Sequence, residues 1–189
     1  MRKEGRVARG DRGGEACPEA GNLERVSMER PLRWLWLTLA VVALDLATKA
    51  AATAWLGYAR PVEVLPFFNL TLLHNTGAAF SFLADHPGWQ RWVFAAIAVG
   101  ASIGLTLWMR RLKRDEVLLA ASLAMIIGGA LGNLYDRLVH GYVVDFLSFH
   151  AAGWYYPAFN VADIGITLGA IGLIWESVFG EKRRARKRG

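Results

Sequence analysis

Residues 117–137 read VLLAASLAMIIGGALGNLYDR. No charge interrupts the run from Val117 to Tyr135. About 20 mostly apolar residues suffice to cross the hydrocarbon core of a bilayer. Gly128 and Gly132 stand four apart, a GxxxG spacing that lets two membrane helices approach closely. The run ends on Asn133, Asp136 and Arg137, whose i, i+3, i+4 spacing gathers three polar groups on one helix face. The stretch predicts a membrane-spanning helix with a chemically loaded end.

Three further runs of this kind surround it, at about 32–55, 89–109 and 161–179, with the first run taken as 117–135. The chain of 189 residues is 54% hydrophobic and only 20% charged, with a mean hydropathy of +0.26. That composition excludes a disordered chain, a collagen and a disulfide scaffold, and apolar runs this long argue against a soluble core. Cys17 is the single cysteine, so neither an internal disulfide nor a cysteine-built metal site is available. The expected fold class is therefore an α-helical polytopic membrane protein of four transmembrane helices.

The net charge of +6 is not spread evenly. Eighteen of the 22 Lys and Arg lie in residues 1–33, 110–114 and 181–189. These clusters flank the start of the first span, the junction of the second and third, and the end of the fourth. The positive-inside rule puts both termini and the 110–116 loop in the cytoplasm, and segments 56–88 and 136–160 outside. The charge reads as an orientation signal, and no nucleic acid is expected. Residues 1–27 are polar and aperiodic and read as a disordered cytoplasmic extension, with Met28 as an alternative start to Met1. Residues 28–180 form the membrane domain, and 181–189 a basic cytoplasmic tail suited to anionic membrane lipids.

The outer segments carry more pattern than plain loops. Phe67 to Leu73 is rich in strand formers and Asn75-Thr76-Gly77 is a turn signal, so 59–83 predicts a small β-rich element at the outer face. The second outer segment is aromatic, and Trp154, Tyr155 and Tyr156 suit an interfacial belt.

Charged groups at membrane depth cost about 2.5–3.5 kcal/mol each on insertion scales. Asp45 and Lys49 are four apart and can pair on one helix face, either as an ion pair that orients the first span or in contact with a ligand. Asp136, Asp145 and Asp163 all fall near the outer boundary, and Asn160 shares a face with Asp163. Two unpaired carboxylates at one apolar site cannot both ionise easily. One keeps a proton, so the pair can activate water and protonate a leaving amine. Asp136 adjoins Arg137, which would hold it charged and occupied. Asp145 sits among Val and Phe with no cation beside it in sequence, so Asp145 and Asp163 form the better dyad. No Gly-x-Ser-x-Gly, His-Glu-x-x-His, phosphate loop or dinucleotide fingerprint is present. The four histidines are scattered, so no metal and no cofactor are expected. A small proton-coupled transporter is the competing reading of intramembrane carboxylates, but no internal repeat supports it.

Taken in order, Asp45-Leu-Ala-Thr-Lys49, Asn75-Thr-Gly-Ala-Ala-Phe80, Gly128-Gly-Ala-Leu-Gly-Asn-Leu-Tyr-Asp-Arg137, Val143-Val-Asp-Phe146 and Phe159-Asn-Val-Ala-Asp163 resemble the lipoprotein signal peptidases, the type II signal peptidases of bacteria. The resemblance covers about residues 30–180. It implies an inner-membrane aspartyl endopeptidase without a metal. Such an enzyme cuts diacylglyceryl-modified prolipoproteins just before the lipidated cysteine. It maps the catalytic pair onto Asp145 and Asp163, and the polar lining of the substrate and inhibitor site onto Asn75, Asn133, Arg137 and Asn160. It gives Asp45 and Lys49 a structural role and implies inhibition by globomycin-type depsipeptides. A monomer with its active site near the outer face is expected.

Overall fold

The apolar runs fold as helices in a computed structural model of the chain, which describes residues 31–77 and 88–188, with the backbone alone from 181. The expectations for residues 1–27, for the second part of segment 59–83 and for the side chains of the basic tail lie outside the described residues. Helix α1 is Leu35–Trp55, α2 Gln90–Arg110, α3 Val117–Val139 and α4 Val161–Arg188. At about 1.5 Å per residue, the shortest of these, 21 residues long, still covers the hydrocarbon thickness. Their apolar windows have mean hydropathies of 1.5 to 2.0.

Two helices run past their sequence-based ends. Helix α3 continues beyond Tyr135 to Val139, so Asp136 and Arg137 are helical rather than the start of an outer loop. Helix α4 passes its apolar stretch, which ends at Gly180, and continues through the basic segment to Arg188. Lys and Arg are good helix formers, and positive charge is favoured at a helix C-terminus.

Helix α3 is the hub of the bundle, packed against α1, α2 and α4, and α1 also touches α4. In its apolar window 61% of residues are buried, against 17–28% in the other three. The outer helices turn large apolar side chains such as Trp36, Leu39, Ile97 and Ile174 outward. That pattern is costly in water and favourable in lipid. Met109, Leu123, Ala124 and Ile127 fill the core between α2 and α3.

Small residues set the helix spacing. A Cβ on Gly128 would lie 2.8 Å from Val41 Cβ of α1, and one on Gly132 2.5 Å from Asp45 Oδ2. A Cβ on Gly129 would collide with the Ala162 carbonyl oxygen of α4. The GxxxG spacing seen in the sequence therefore works against α1, and the glycine between works against α4.

A four-stranded antiparallel sheet in the order β1-β2-β3-β4 caps one end of the bundle. Its strands are β1 Val62–Leu65, β2 Phe68–Asn75, β3 Val143–Ala151 and β4 Trp154–Tyr155. The β-rich first outer segment thus supplies half of the sheet. The second outer segment supplies the other half, which its aromatic content had masked as a simple interfacial belt. The chain swings from α3 into β3 at Gly141, whose φ of +83° an L-residue with a side chain rarely adopts.

Replacing Gly129 by alanine should destabilise the protein by about 1–3 kcal/mol through overpacking against α4. Gly100→Ala in α2, where a Cβ meets nothing within 4 Å, should be neutral. Thermal unfolding midpoints in one detergent test the contrast. An unchanged midpoint for Gly129→Ala would contradict the close approach.

Candidate active site

Asp145 sits in the middle of β3 and is buried, at 3% exposure. On the neighbouring strand Asn75 pairs with Val143, which puts Asn75 and Asp145 diagonally on one face of the sheet. Asn75 Nδ2 donates to Asp145 Oδ2 at 3.0 Å. Its Oδ1 accepts the Gly77 N–H at 2.8 Å, so the turn after β2 fixes which end of the amide faces the carboxylate. A Cβ on Gly77 would lie 2.6 Å from the Phe94 ring of α2, so only glycine lets the turn seat there.

The segment before α4 is tied to the same strand. Phe159 and Leu147 exchange backbone hydrogen bonds of 3.0 and 2.9 Å. That bridge lays Asn160, fully buried, beside Asp145. Asn160 Nδ2 donates to Asp145 Oδ1 at 2.8 Å, and also faces Asn133 Oδ1 at 3.1 Å and the Val144 carbonyl at 3.2 Å. Asn160 is also the N-cap of α4. Its Oδ1 accepts the Asp163 N–H at 3.0 Å, while Asp163 Oδ2 accepts the Asn160 N–H at 3.2 Å. This is a reciprocal capping box built with a carboxylate. Asp163 Oδ1 accepts Asn133 Nδ2 at 2.8 Å, and Asp163 is half-buried. One asparagine thus touches both Asp145 and Asp163.

Beneath this pair lies a charge cluster. Lys49 Nζ is 2.7 Å from Asp45 Oδ2, 2.9 Å from Asp136 Oδ2 and 3.0 Å from Asn133 Oδ1. Asp45 Oδ1 accepts the Ala162 N–H at 2.9 Å, and Asp136 Oδ2 accepts the Val144 N–H at 3.1 Å. The cation that holds Asp136 is therefore Lys49. This corrects the expectation that the neighbouring Arg137 would hold it. Residues i and i+1 of a helix point about 100° apart and do not face each other. Arg137 instead donates to the Asn133 carbonyl at 3.1 Å and lies 5.2 Å from the centre of the Phe94 ring. Its charge lies near Asp163, Asp145 and Asp136. Nothing in the sequence pointed to Phe94, which is one apolar residue within an apolar span.

Two cations, Lys49 and Arg137, thus face four carboxylates. Burial pushes the Asp145 carboxyl up to about 6, against hydrogen bonds from Asn75 and Asn160 that lower it, and the charge of Asp163 raises it further. A carboxyl in this setting takes and releases a proton near neutrality. Among the described residues no cluster of histidine, cysteine and carboxylate side chains could hold a metal ion.

Comparison with known proteins points one way. A family model described as signal peptidase (SPase) II matches residues 37–179. The lipoprotein signal peptidase of Yersinia pseudotuberculosis serotype O:1b (strain IP 31758) is 53% identical over 145 residues, covering 77% of this chain and 86% of that protein. The lipoprotein signal peptidase of Yersinia pestis (strain Pestoides F) matches to the same extent, 53% over 145 residues. Among solved structures, a bacterial membrane enzyme determined in meso at 1.9 Å superposes with a TM-score of 0.67 at 29% identity, over 75% of this chain and 90% of its own. A second, at 2.3 Å, gives 0.68 at 28% identity, over 79% and 89%.

The raised Asp145 carboxyl has a measurable cost. Its ionised form is the one the fold disfavours, so the penalty is absent below its ordinary value of 3.8 and grows as the pH rises through about 6. At full ionisation it reaches about 3 kcal/mol. Between about pH 4 and 7, the thermal midpoint of the wild type should fall relative to that of Asp145→Asn. Parallel pH profiles for the two proteins would contradict the shift.

Proposed function

Because the chain belongs to the signal peptidase II family, we propose that it is an aspartic-type endopeptidase acting on diacylglyceryl-modified prolipoproteins. The cut falls just before the lipidated cysteine and releases the signal peptide. That the chain is a multi-pass bacterial membrane peptidase follows from the family and the four apolar helices. The dyad, the cleavage position and the substrate's lipid are the finer reading. The observation that carries it is Asn160, hydrogen-bonded at once to Asp145 and Asp163.

In this reading the pair shares one proton, held first by Asp145, whose carboxyl burial has raised. A water lies between the carboxyls. Asp163, half-buried and open to an incoming chain, takes a proton from the water as its oxygen bonds to the scissile carbonyl carbon. Asp145 gives its proton to the carbonyl oxygen, forming a neutral tetrahedral diol. Collapse of the diol breaks the C–N bond, with one proton passing to the departing amine of the cysteine and one returning to the pair. Water is consumed, and one carboxyl and one amine are produced. No covalent enzyme intermediate is needed, and the amides of Asn75, Asn133 and Asn160 keep both carboxyls aimed.

The substrate is itself a membrane helix with acyl chains beyond the cut. Helices α2 and α4 both pack on α3, and Arg137 with Phe94 beneath it lies near the dyad. We read this side as the docking face, with Arg137 and the asparagines contacting the extended backbone around the cut. Globomycin-type depsipeptides would inhibit by occupying the same polar groups. By the positive-inside rule, the basic clusters support a topology with both termini in the cytoplasm and the sheet end, with the proposed dyad, at the outer face. The protein acts as a monomer in this account.

Asp145→Asn and Asp163→Asn should each lower cleavage of a purified lipidated prolipoprotein by about 10²–10⁴-fold, with the protein still folded. Mass spectrometry of the released signal peptide reads both rate and position. Retained activity in either variant, or an inactive but well-folded Asp136→Asn beside an active Asp145→Asn, would overturn the assignment.

A further inference from the structure

The chain enters α1 and α3 at the end of the bundle opposite the sheet, and two short turns meet there. Residues 31–34 turn into α1, closed by the Trp34 N–H on the Pro31 carbonyl at 3.1 Å. Residues 113–116 turn into α3 and are closed twice. The Glu116 N–H donates to the Lys113 carbonyl at 3.2 Å, and the Lys113 N–H donates to Glu116 Oε2 at 2.7 Å. Both turns are anchored in one core, in which Leu112 and Ala120 are buried and against which Trp34 packs. A cleft of about 60 Å³ lies between them, with Arg33 and Trp34 on one wall and Lys113, Arg114 and Glu116 on the other.

We propose that this cleft binds the phosphodiester of an anionic membrane phospholipid. Its lining holds three cations, Arg33, Lys113 and Arg114, against one carboxylate. That carboxylate, Glu116, is turned back onto the Lys113 N–H, and Asp115 of the same turn is not part of the lining. Among the described residues none of the three cations forms an ion pair, and all three are exposed. Like charges gathered in one small cleft repel one another, and a shared phosphate relieves that repulsion. Guanidinium groups meet phosphate oxygens with paired N–H donors. The depth of the cleft selects a lipid as the source of the phosphate. Apolar spans open at Leu35 and Val117, so the cleft sits where hydrocarbon gives way to headgroups. Basic pockets between membrane helices at this level take acidic headgroups. The cleft has room for a phosphate and not for a peptide chain. Just past Arg33, Trp36 and Leu39 stand three apart on one face of α1, both exposed, and give the acyl chains an apolar bed. A zwitterionic headgroup carries the same phosphate but brings its own ammonium among three cations, so the site favours a headgroup with net negative charge.

The test uses the purified, delipidated full chain in a neutral detergent. Phosphatidylglycerol and phosphatidylethanolamine with identical acyl chains are titrated in, and retained adducts are counted by native mass spectrometry. The expected result is retention of the glycerol lipid at concentrations about tenfold lower. Two double variants then remove equal charge from the connection between α2 and α3. Lys113→Ala with Arg114→Ala empties one wall of the cleft and should abolish the preference. Arg110→Ala with Arg111→Ala lies outside the lining and should leave it intact. Only exposed side chains are changed, so the lipid-free thermal midpoints should match that of the wild type. Equal retention of the two lipids would overturn the headgroup assignment. Equal loss in the two double variants would show a diffuse attraction by charge and overturn the cleft, as would an undiminished preference in the first. Displacement of the lipid by inorganic phosphate at matched concentration would show an anion site that recognises no acyl chain and would overturn the lipid as occupant. None of these readouts depends on peptidase activity.

Discussion

A single ammonium organises this bundle. Lys49 Nζ has three N–H bonds to give and three acceptors within 3.0 Å, on Asp45, Asp136 and Asn133. Through them one charge ties four parts of the fold together. Asp45 reaches on to the first turn of α4 at Ala162, and Asp136 to β3 at Val144. Burying three ions costs several kcal/mol each, which their close pairing offsets. Loss of one partner would leave an uncompensated charge at membrane depth, worth about 3–5 kcal/mol. Gly132 makes the arrangement possible, since any Cβ there would occupy the space of the Asp45 carboxylate.

The same ammonium helps orient the amides around the proposed dyad. Asn133 turns its carbonyl oxygen to Lys49 and Asn160, which leaves its Nδ2 pointing at Asp163. Asn75 is oriented in the same manner by the Gly77 N–H, and points its Nδ2 at Asp145. Each carboxyl of the proposed dyad thus meets an amide whose direction is set by a group behind it. The pair sits where two cations face four carboxylates, and burial there raises the Asp145 carboxyl to about 6.

Much of this was legible from residues alone, because it rests on local rules. Apolar length specifies the helices, and i, i+4 spacing specifies the Asp45–Lys49 pair. The glycine spacing on α3 foretold close packing, though the partners of Gly128 and Gly129 on α1 and α4 were invisible. What escaped depends on distant parts of the chain meeting. Arg137 beside Asp136 in sequence suggested a pair that helix geometry forbids, and the true partner lies on α1. Strand β3 was hidden because the segment was read from its later aromatics, Trp154, Tyr155 and Tyr156, as an interfacial belt, and an aspartate is unusual in a strand. The role of Asn160 as the bridge between Asp145 and Asp163 needed the Leu147–Phe159 pairing, which no periodicity encodes. The aspartates themselves stood out for the opposite reason, as local rules fail at charges placed among Val, Phe and Ile.

The central claim is that Asp145 and Asp163 together hold the attacking water. The most direct measurement is a crystal structure with a lipidated substrate analogue whose scissile carbonyl is replaced by a hydroxyl-bearing carbon. The account predicts that hydroxyl within about 3 Å of a carboxyl oxygen of both Asp145 and Asp163, with Asp136 still on Lys49. A hydroxyl seated against Asp136, or touching neither member of the pair, would contradict it.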